Sequence, residues 1–195
     1  MTDNIHYVFI HGAKQTSSSW ATILDKLRPS KYTLIDYSSK RPFSENLSDM
    51  ILEVSLLNDI FFVAHSLGGI YAVHLQQKYQ NEVRGAVTIS TPYGGSNLAR
   101  TLRLVFPSQQ LFKDICPSSD PIVSANQIPI TVPWTQVVSV DGCLPIHMEP
   151  NDGIVSIRSM KYRNDVEYVE VKEDHYSIIE SDEVVDIIKK KSKTT

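Results

Sequence analysis

The chain has 195 residues, 42% hydrophobic and 21% charged, ordinary values for a globular protein with room for one substantial core. Its 19 Lys and Arg against 22 Asp and Glu give a formal net charge of −3, with none of the basic excess that nucleic-acid binders carry. No apolar run approaches the roughly 20 residues of a membrane span, and two cysteines, Cys116 and Cys143, make no disulfide framework. A single bridge between them is one reading. Free thiols are expected, because nothing else points to secretion.

The opening MTDNIHYVFIHG enters a strand within about five residues, which leaves no room for a signal peptide; a cytoplasmic location is expected. Tyr7 to Ile10 reads as a strand buried on both faces. Ser17, Ser18 and Ser19 can cap a helix on which Trp20, Ile23, Leu24 and Leu27 recur at helical spacing, stopped by Pro29. Thr33 to Tyr37 is the next strand, and Leu47, Met50, Ile51 and Val54 mark one face of a second helix. Ile60 to Ala64 is strand three, followed by a helix over about Leu67 to Tyr79, then strand four over Val83 to Ser90. Thr135 to Val140 is strand five. Val166 to Val171 is strand six, alternating apolar with acidic residues as an edge strand would. Val184, Val185, Ile187 and Ile188 belong to a last helix, and the Lys189-Lys190-Lys191-Ser192-Lys193 run that closes it complements the helix dipole. The alternation predicts a single domain over residues 1–195, a parallel sheet covered by helices on both sides.

One connection is too long for a simple crossover. More than 40 residues lie between Ser90 and Thr135, with prolines at 107, 117, 121 and 129. Residues 96–107 read as an amphipathic helix with Leu98, Leu102 and Val105 on one side. The segment 91–134 is therefore expected either as a lid or cap or as a decorated crossover helix.

At Ala64-His65-Ser66-Leu67-Gly68-Gly69 the apolar third strand stops on a serine, and a helix starts on glycine. A sharp strand-to-helix turn exposes a serine hydroxyl at the carboxyl end of a parallel sheet, where ligands bind. The turn needs small residues on either side of the serine, here Ala64 and Gly68. This stretch resembles the nucleophile elbow of the α/β-hydrolase superfamily, with Ala64 in place of the first glycine of G-x-S-x-G. Phe9-Ile10-His11-Gly12-Ala13 resembles the strand-then-HG segment of lipases and esterases. Ser90-Thr91-Pro92-Tyr93-Gly94-Gly95-Ser96 is similar to their STP-x-x-GS segment, and Asn151-Asp152-Gly153-Ile154-Val155 to their NDG-x-V acid loop. Asp174-His175 follows the last strand, where the family's histidine belongs.

The resemblance covers about residues 6 to 190 and is strongest to small lipase-like and esterase-like members. It implies a three-layer α/β/α sandwich with a mostly parallel sheet of about six strands, the minimal α/β-hydrolase fold, bearing a small lid-like insert. It implies Ser66 as nucleophile, His175 as base and Asp152 as the acid that orients it, in the order of the family. Ala13 and Leu67 N–H would form the oxyanion hole, and Lys14, His65, Tyr93, Leu98 and Leu102 are the expected substrate contacts. The expected activity is hydrolysis of carboxylic esters with an apolar acyl group through an acyl-enzyme. Thioester or amide hydrolysis, acyl transfer and an inactive binding module are the other readings.

Each residue has a plainer reading. Ser66 could be a helix cap, and His175 a surface histidine. Asp141, at the end of strand five and also followed by glycine, is the alternative acid; both Asp-Gly pairs are good turn formers. His11 is expected to organise the oxyanion loop, and His65 could simply pack. His6, His74 and His147 have no partner at ligand spacing. No metal cluster or G-x-x-x-x-G-K phosphate loop occurs, so no cofactor is expected. No nucleic-acid partner and no integral membrane segment are expected either.

Overall fold

The structure, a computed structural model, describes residues 4–142 and 149–194. Six strands, β1 (His6–Ile10), β2 (Tyr32–Ile35), β3 (Ile60–His65), β4 (Val83–Ile89), β5 (Trp134–Ser139) and β6 (Glu167–Val171), form one sheet in the order β2-β1-β3-β4-β5-β6. Every pairing is parallel. The helices are α1 (Ala21–Leu27), α2 (Phe43–Val54), α3 (Leu67–Lys78), α4 (Asn97–Val105), α5 (Gln110–Asp114), α6 (Asp120–Gln127), α7 (Ile157–Met160) and α8 (Asp182–Lys193).

Central β3 is buried at every residue, which is why it carries no polar face. Its side chains alternate between two cores. Ile60, Phe62 and Ala64 join Met50, Val54, Ile70, Tyr71 and Ile122 beneath α2, α3 and α6. Phe61 and Val63 join Trp20, Ile23, Val184, Val185 and Ile188 beneath α1 and α8. The result is three layers, with β2 and β6 as the edges. Among the described residues no helix is long and apolar enough to cross a membrane.

Two expectations change in detail. The serines before α1 do not cap it: Ser17 to Trp20 form a separate 3-10 turn, and Ser17 bonds the Asp36 carboxylate instead. The helix ends on Arg28 in the left-handed region (φ 48°), a common helix C-cap whose N–H still bonds Leu24 O, and Pro29 follows it directly. The connection from β4 to β5 carries three helices, not one. Its α6 packs on α3 as the crossover helix, while α4 and α5 are additions at the carboxyl end of the sheet. Pro121 stands in the first turn of α6, where its missing N–H costs nothing, so it marks a helix start and not a break. At the other end of α6, buried Arg163 donates to Ala125 O (2.6 Å) and Ile128 O (2.8 Å). Cys116 is buried within this segment; Cys143 and His147 lie outside the described residues.

Candidate active site

The site begins with a steric constraint. Ser66 leaves β3 at φ 52°, ψ −122°, outside the favoured regions for a residue with a side chain, and α3 starts on the next residue. The turn brings α3 so close to β1 that a Cβ on Gly68 would lie 2.3 Å from Ile10 O and 2.7 Å from His11 O. Both obstacles are backbone and cannot step aside. Gly68→Ala is therefore expected to cost about 3 kcal/mol, lowering Tm by about 6–12 °C in a thermal melt. A melt within 2 °C of wild type would show that the approach is looser than described.

Asp152 sits in a tight loop closed by Asp152 N–H to Val155 O (3.1 Å) and by Gly153 at φ 94°. Its Oδ1 accepts from the N–H groups of Ile154 (3.0 Å) and Val155 (2.7 Å). Its Oδ2 accepts from His175 Nδ1 (2.7 Å) and from Ser139 Oγ. The backbone joins the same two loops, with His175 N–H donating to Asp152 O (3.0 Å). Burial alone would raise the Asp152 carboxyl, but the bonds from His175, Ser139 and Val155 outweigh it and hold the group below its ordinary range. With Nδ1–H committed to the carboxylate, Nε2 is left as an acceptor. It lies 3.1 Å from Ser66 Oγ.

His65 connects the surroundings. Its Nδ1 lies 2.9 Å from Gln15 Oε1 and its Nε2 2.9 Å from His175 O, and burial pushes its pKa down to about 3. The neutral ring has one proton, which serves one of these oxygens at a time. His11, buried and also held neutral by desolvation, donates Nδ1–H to Gly12 O (2.7 Å) and accepts at Nε2 from Tyr37 N–H (3.2 Å). Its ring stacks on Tyr37, fixing the loop that carries Ala13. Among the described residues neither Ala13 N–H nor Leu67 N–H donates to another group.

All of this opens on a cavity of about 220 Å³. Ala13, Lys14, His65, Ser66, Leu67 and His175 line one side. Leu98 and Leu102 of α4 with Leu111, Phe112 and Ile115 around α5 form an apolar wall.

No family model and no curated protein matches the sequence. Solved structures do. A metagenomic carboxyl esterase superposes with a TM-score of 0.74 at 16% identity, over 98% of this chain and 72% of that one. A lipase-esterase related protein from Clostridium acetobutylicum gives 0.70 at 13% identity, over 97% and 95%. The monoacylglycerol lipase of Paleococcus ferrophilus gives 0.64 at 15%, over 97% and 95%. The chain has the α/β-hydrolase fold.

Within that fold, Ser66, His175, Asp152, Ala13, Leu67, Lys14, His65, Leu98 and Leu102 come together around or directly behind the cavity. Tyr93 does not. It is fully buried, its hydroxyl 2.9 Å from both Thr88 Oγ1 and Trp134 Nε1 and its ring beneath Arg163, so it braces the core instead of meeting a substrate. Asp141 is exposed, and its carboxylate bonds neither nitrogen of His175. His6 and His74 bond Thr33 Oγ1 and Pro121 O, away from the cavity. Gln15, Ser139 and the α5 wall were not found from the α/β-hydrolase motifs; a signal exists only for the wall, in the apolar pair Leu111-Phe112. Among the described residues no three His, Cys, Asp or Glu stand close enough to hold a metal ion.

Proposed function

We propose that this protein is a serine hydrolase of carboxylic esters with Ser66, His175 and Asp152 as its triad. The observation that carries the reading is the unbroken hydrogen-bond path from Ser66 Oγ through the His175 ring to the Asp152 carboxylate, at the floor of an apolar cavity. The names of the superposed structures, a carboxyl esterase and a monoacylglycerol lipase, support it.

A serine hydroxyl attacks an ester carbonyl only when a base takes its proton, and Nε2 of His175 is placed to do so. Asp152 fixes the tautomer and stabilises the imidazolium that results. The tetrahedral oxyanion is held by Ala13 and Leu67 N–H, a kind of donor whose loss costs about 10²–10³ in rate. The alcohol leaves with the proton from His175, and water then cleaves the acyl-enzyme by the same route. No cofactor takes part.

The acyl group lies against Leu98, Leu102, Leu111, Phe112 and Ile115, with segment 91–134 acting as its cap, while Lys14 and His65 border the carbonyl end. The five large apolar side chains of this wall are read as fitting an acyl chain of medium length, about six to eight carbons. In a series of p-nitrophenyl esters from acetyl to palmitoyl, kcat/KM is expected to peak at that length and fall by about tenfold or more at palmitoyl. Leu102→Trp is expected to move the peak to shorter chains, and Ser66→Ala to lower kcat by about 10⁶-fold. A maximum at acetyl or palmitoyl would overturn the acyl assignment. Turnover equal in wild type and Ser66→Ala would overturn the serine mechanism.

A further inference from the structure

The carboxylate of Asp152 is met by four donors, which fills its roughly four lone-pair sites. Two are backbone amides of its own loop and one is His175. The fourth is the hydroxyl of Ser139, the last residue of β5. Every residue of β5 is buried, and Ser139 is fully so. A hydroxyl in such a place is costly unless it is paired, and here the pairing is with the oxygen that also holds His175. Behind it stands a second buried hydroxyl, Ser90, at the end of β4, with its Oγ 2.7 Å from Ser139 Oγ. A hydroxyl has one proton. Ser139 gives its own to Asp152, the charged and therefore stronger acceptor, so Ser90 must donate to Ser139. Met160 Sδ, 3.6 Å from Ser139 Oγ, closes the site as packing. Ser90 is itself held at φ 51° with its N–H on Val137 O (2.9 Å), which aims its side chain at the neighbouring strand.

We infer that Ser139, polarised by Ser90, is a positioning residue that sets the basicity and orientation of the Asp152 carboxylate and, through it, the proton affinity of His175. The inference rests on the triad reading above and adds to it a pair of hydroxyls that touch neither substrate nor Ser66. Hydrogen bonds to a carboxylate spread its charge. With Ser139 in place, Oδ2 draws less strongly on the His175 proton; without it, the imidazolium is favoured and the ring protonates at higher pH. Chained bonds of this kind reinforce one another, so Ser90 strengthens what Ser139 gives.

Among the described residues, other ionisable groups around the pair are His65 on β3, Asp174 and Tyr176 beside His175, and Lys14 across the cavity. His65 is neutral throughout an assay range of about pH 5–9, because burial holds its pKa at about 3. The Asp174 carboxyl lies below its ordinary range, held there by the N–H groups of Ser177 and Tyr176, and stays charged. All four are the same in each variant, so a moved acid limb reports on the pair itself.

The experiment is kcat/KM against pH on p-nitrophenyl hexanoate for wild type, Ser139→Ala, Ser90→Ala and Ser139→Thr, each with a thermal melt. Ser139→Ala is expected to lower kcat at pH 7 by about tenfold with KM unchanged, and to move the acid limb up by about half a pH unit. Ser90→Ala moves the limb the same way by less, and Ser139→Thr, which restores a hydroxyl, returns it toward wild type. If Ser139→Ala fails to fold, the Ser90→Ala limb decides. A folded Ser139→Ala, or in its place Ser90→Ala, with the wild-type limb would overturn the inference while leaving the triad standing. A wild type that cleaves no ester and takes no fluorophosphonate label would remove both together.

Discussion

Alanine at His175 is expected to lower kcat by about 10⁶-fold, and adding Ser66→Ala to lower it no further. The reason lies in the shared proton. Ser66 Oγ is 3.1 Å from Nε2, and the hydroxyl is a useful nucleophile only while that nitrogen can receive its hydrogen. Removing either group removes the same event, so the two losses do not multiply. On the proposed mechanism, what survives in both variants is binding and the two amides at Ala13 and Leu67, which are backbone and unaffected by side-chain truncation. They are expected to sustain about 10³-fold rate enhancement over the uncatalysed reaction. Steady-state kinetics on p-nitrophenyl hexanoate measure the three variants. A fluorophosphonate should label wild type at Ser66, label His175→Ala slowly, and leave both Ser66→Ala proteins untouched. Losses that multiply across the double variant would mean that the residues act separately and that the hydrogen-bond path is not the source of reactivity.

The parts of this protein that could be read before its structure are those in which local chemistry has one outcome. Ile60 to Ala64 has no polar residue and can only be a strand with both faces covered, and Ser66 followed by Gly68 and Gly69 has few uses outside a cramped strand-to-helix corner. Residues that acquire meaning from distant partners were not legible. Ser139 looks like any strand-end serine until Asp152 folds back over it, and Gln15 meets His65 only across 50 residues of chain. Tyr93 misled for the same reason. Pro92 before it and Ser96 after it line the cavity, yet the Trp134 N–H and the Thr88 hydroxyl draw its ring inward. In the insert, α5 is a helix of five residues, too short to display a period. The apolar wall was thus half visible, through Leu98 and Leu102, and half hidden.

Asp152→Asn should lower kcat by about 10⁴-fold without unfolding the protein. The amide is the same size, and its oxygen can keep the bonds from Ile154 and Val155 N–H, at 3.0 and 2.7 Å. The change falls on the other atom. Where Oδ2 accepted from both His175 Nδ1–H and Ser139 Oγ–H, an NH₂ group now faces two donors. Ser139 escapes by turning its hydrogen to Ser90 and accepting from the amide. His175 escapes only by moving its proton to Nε2, and the ring then presents a donor to Ser66 where the reaction requires an acceptor. The same substitution also alters stability with pH, in a direction that can be worked out. The folded Asp152 carboxyl lies below its ordinary range, so its charge stabilises wild type above the unfolded value, and that contribution is lost as pH falls through the folded value. Asp152→Asn should therefore show a shallower loss of Tm on acidification. Asp141→Asn supplies the contrast, because that carboxylate is exposed and bonds neither His175 nitrogen; its kcat should stay within about twofold of wild type. If Asp141→Asn instead proved the damaging change, with Asp152→Asn close to wild type, the histidine would take its orientation from the end of β5 and the loop at 151–155 would be no more than a turn.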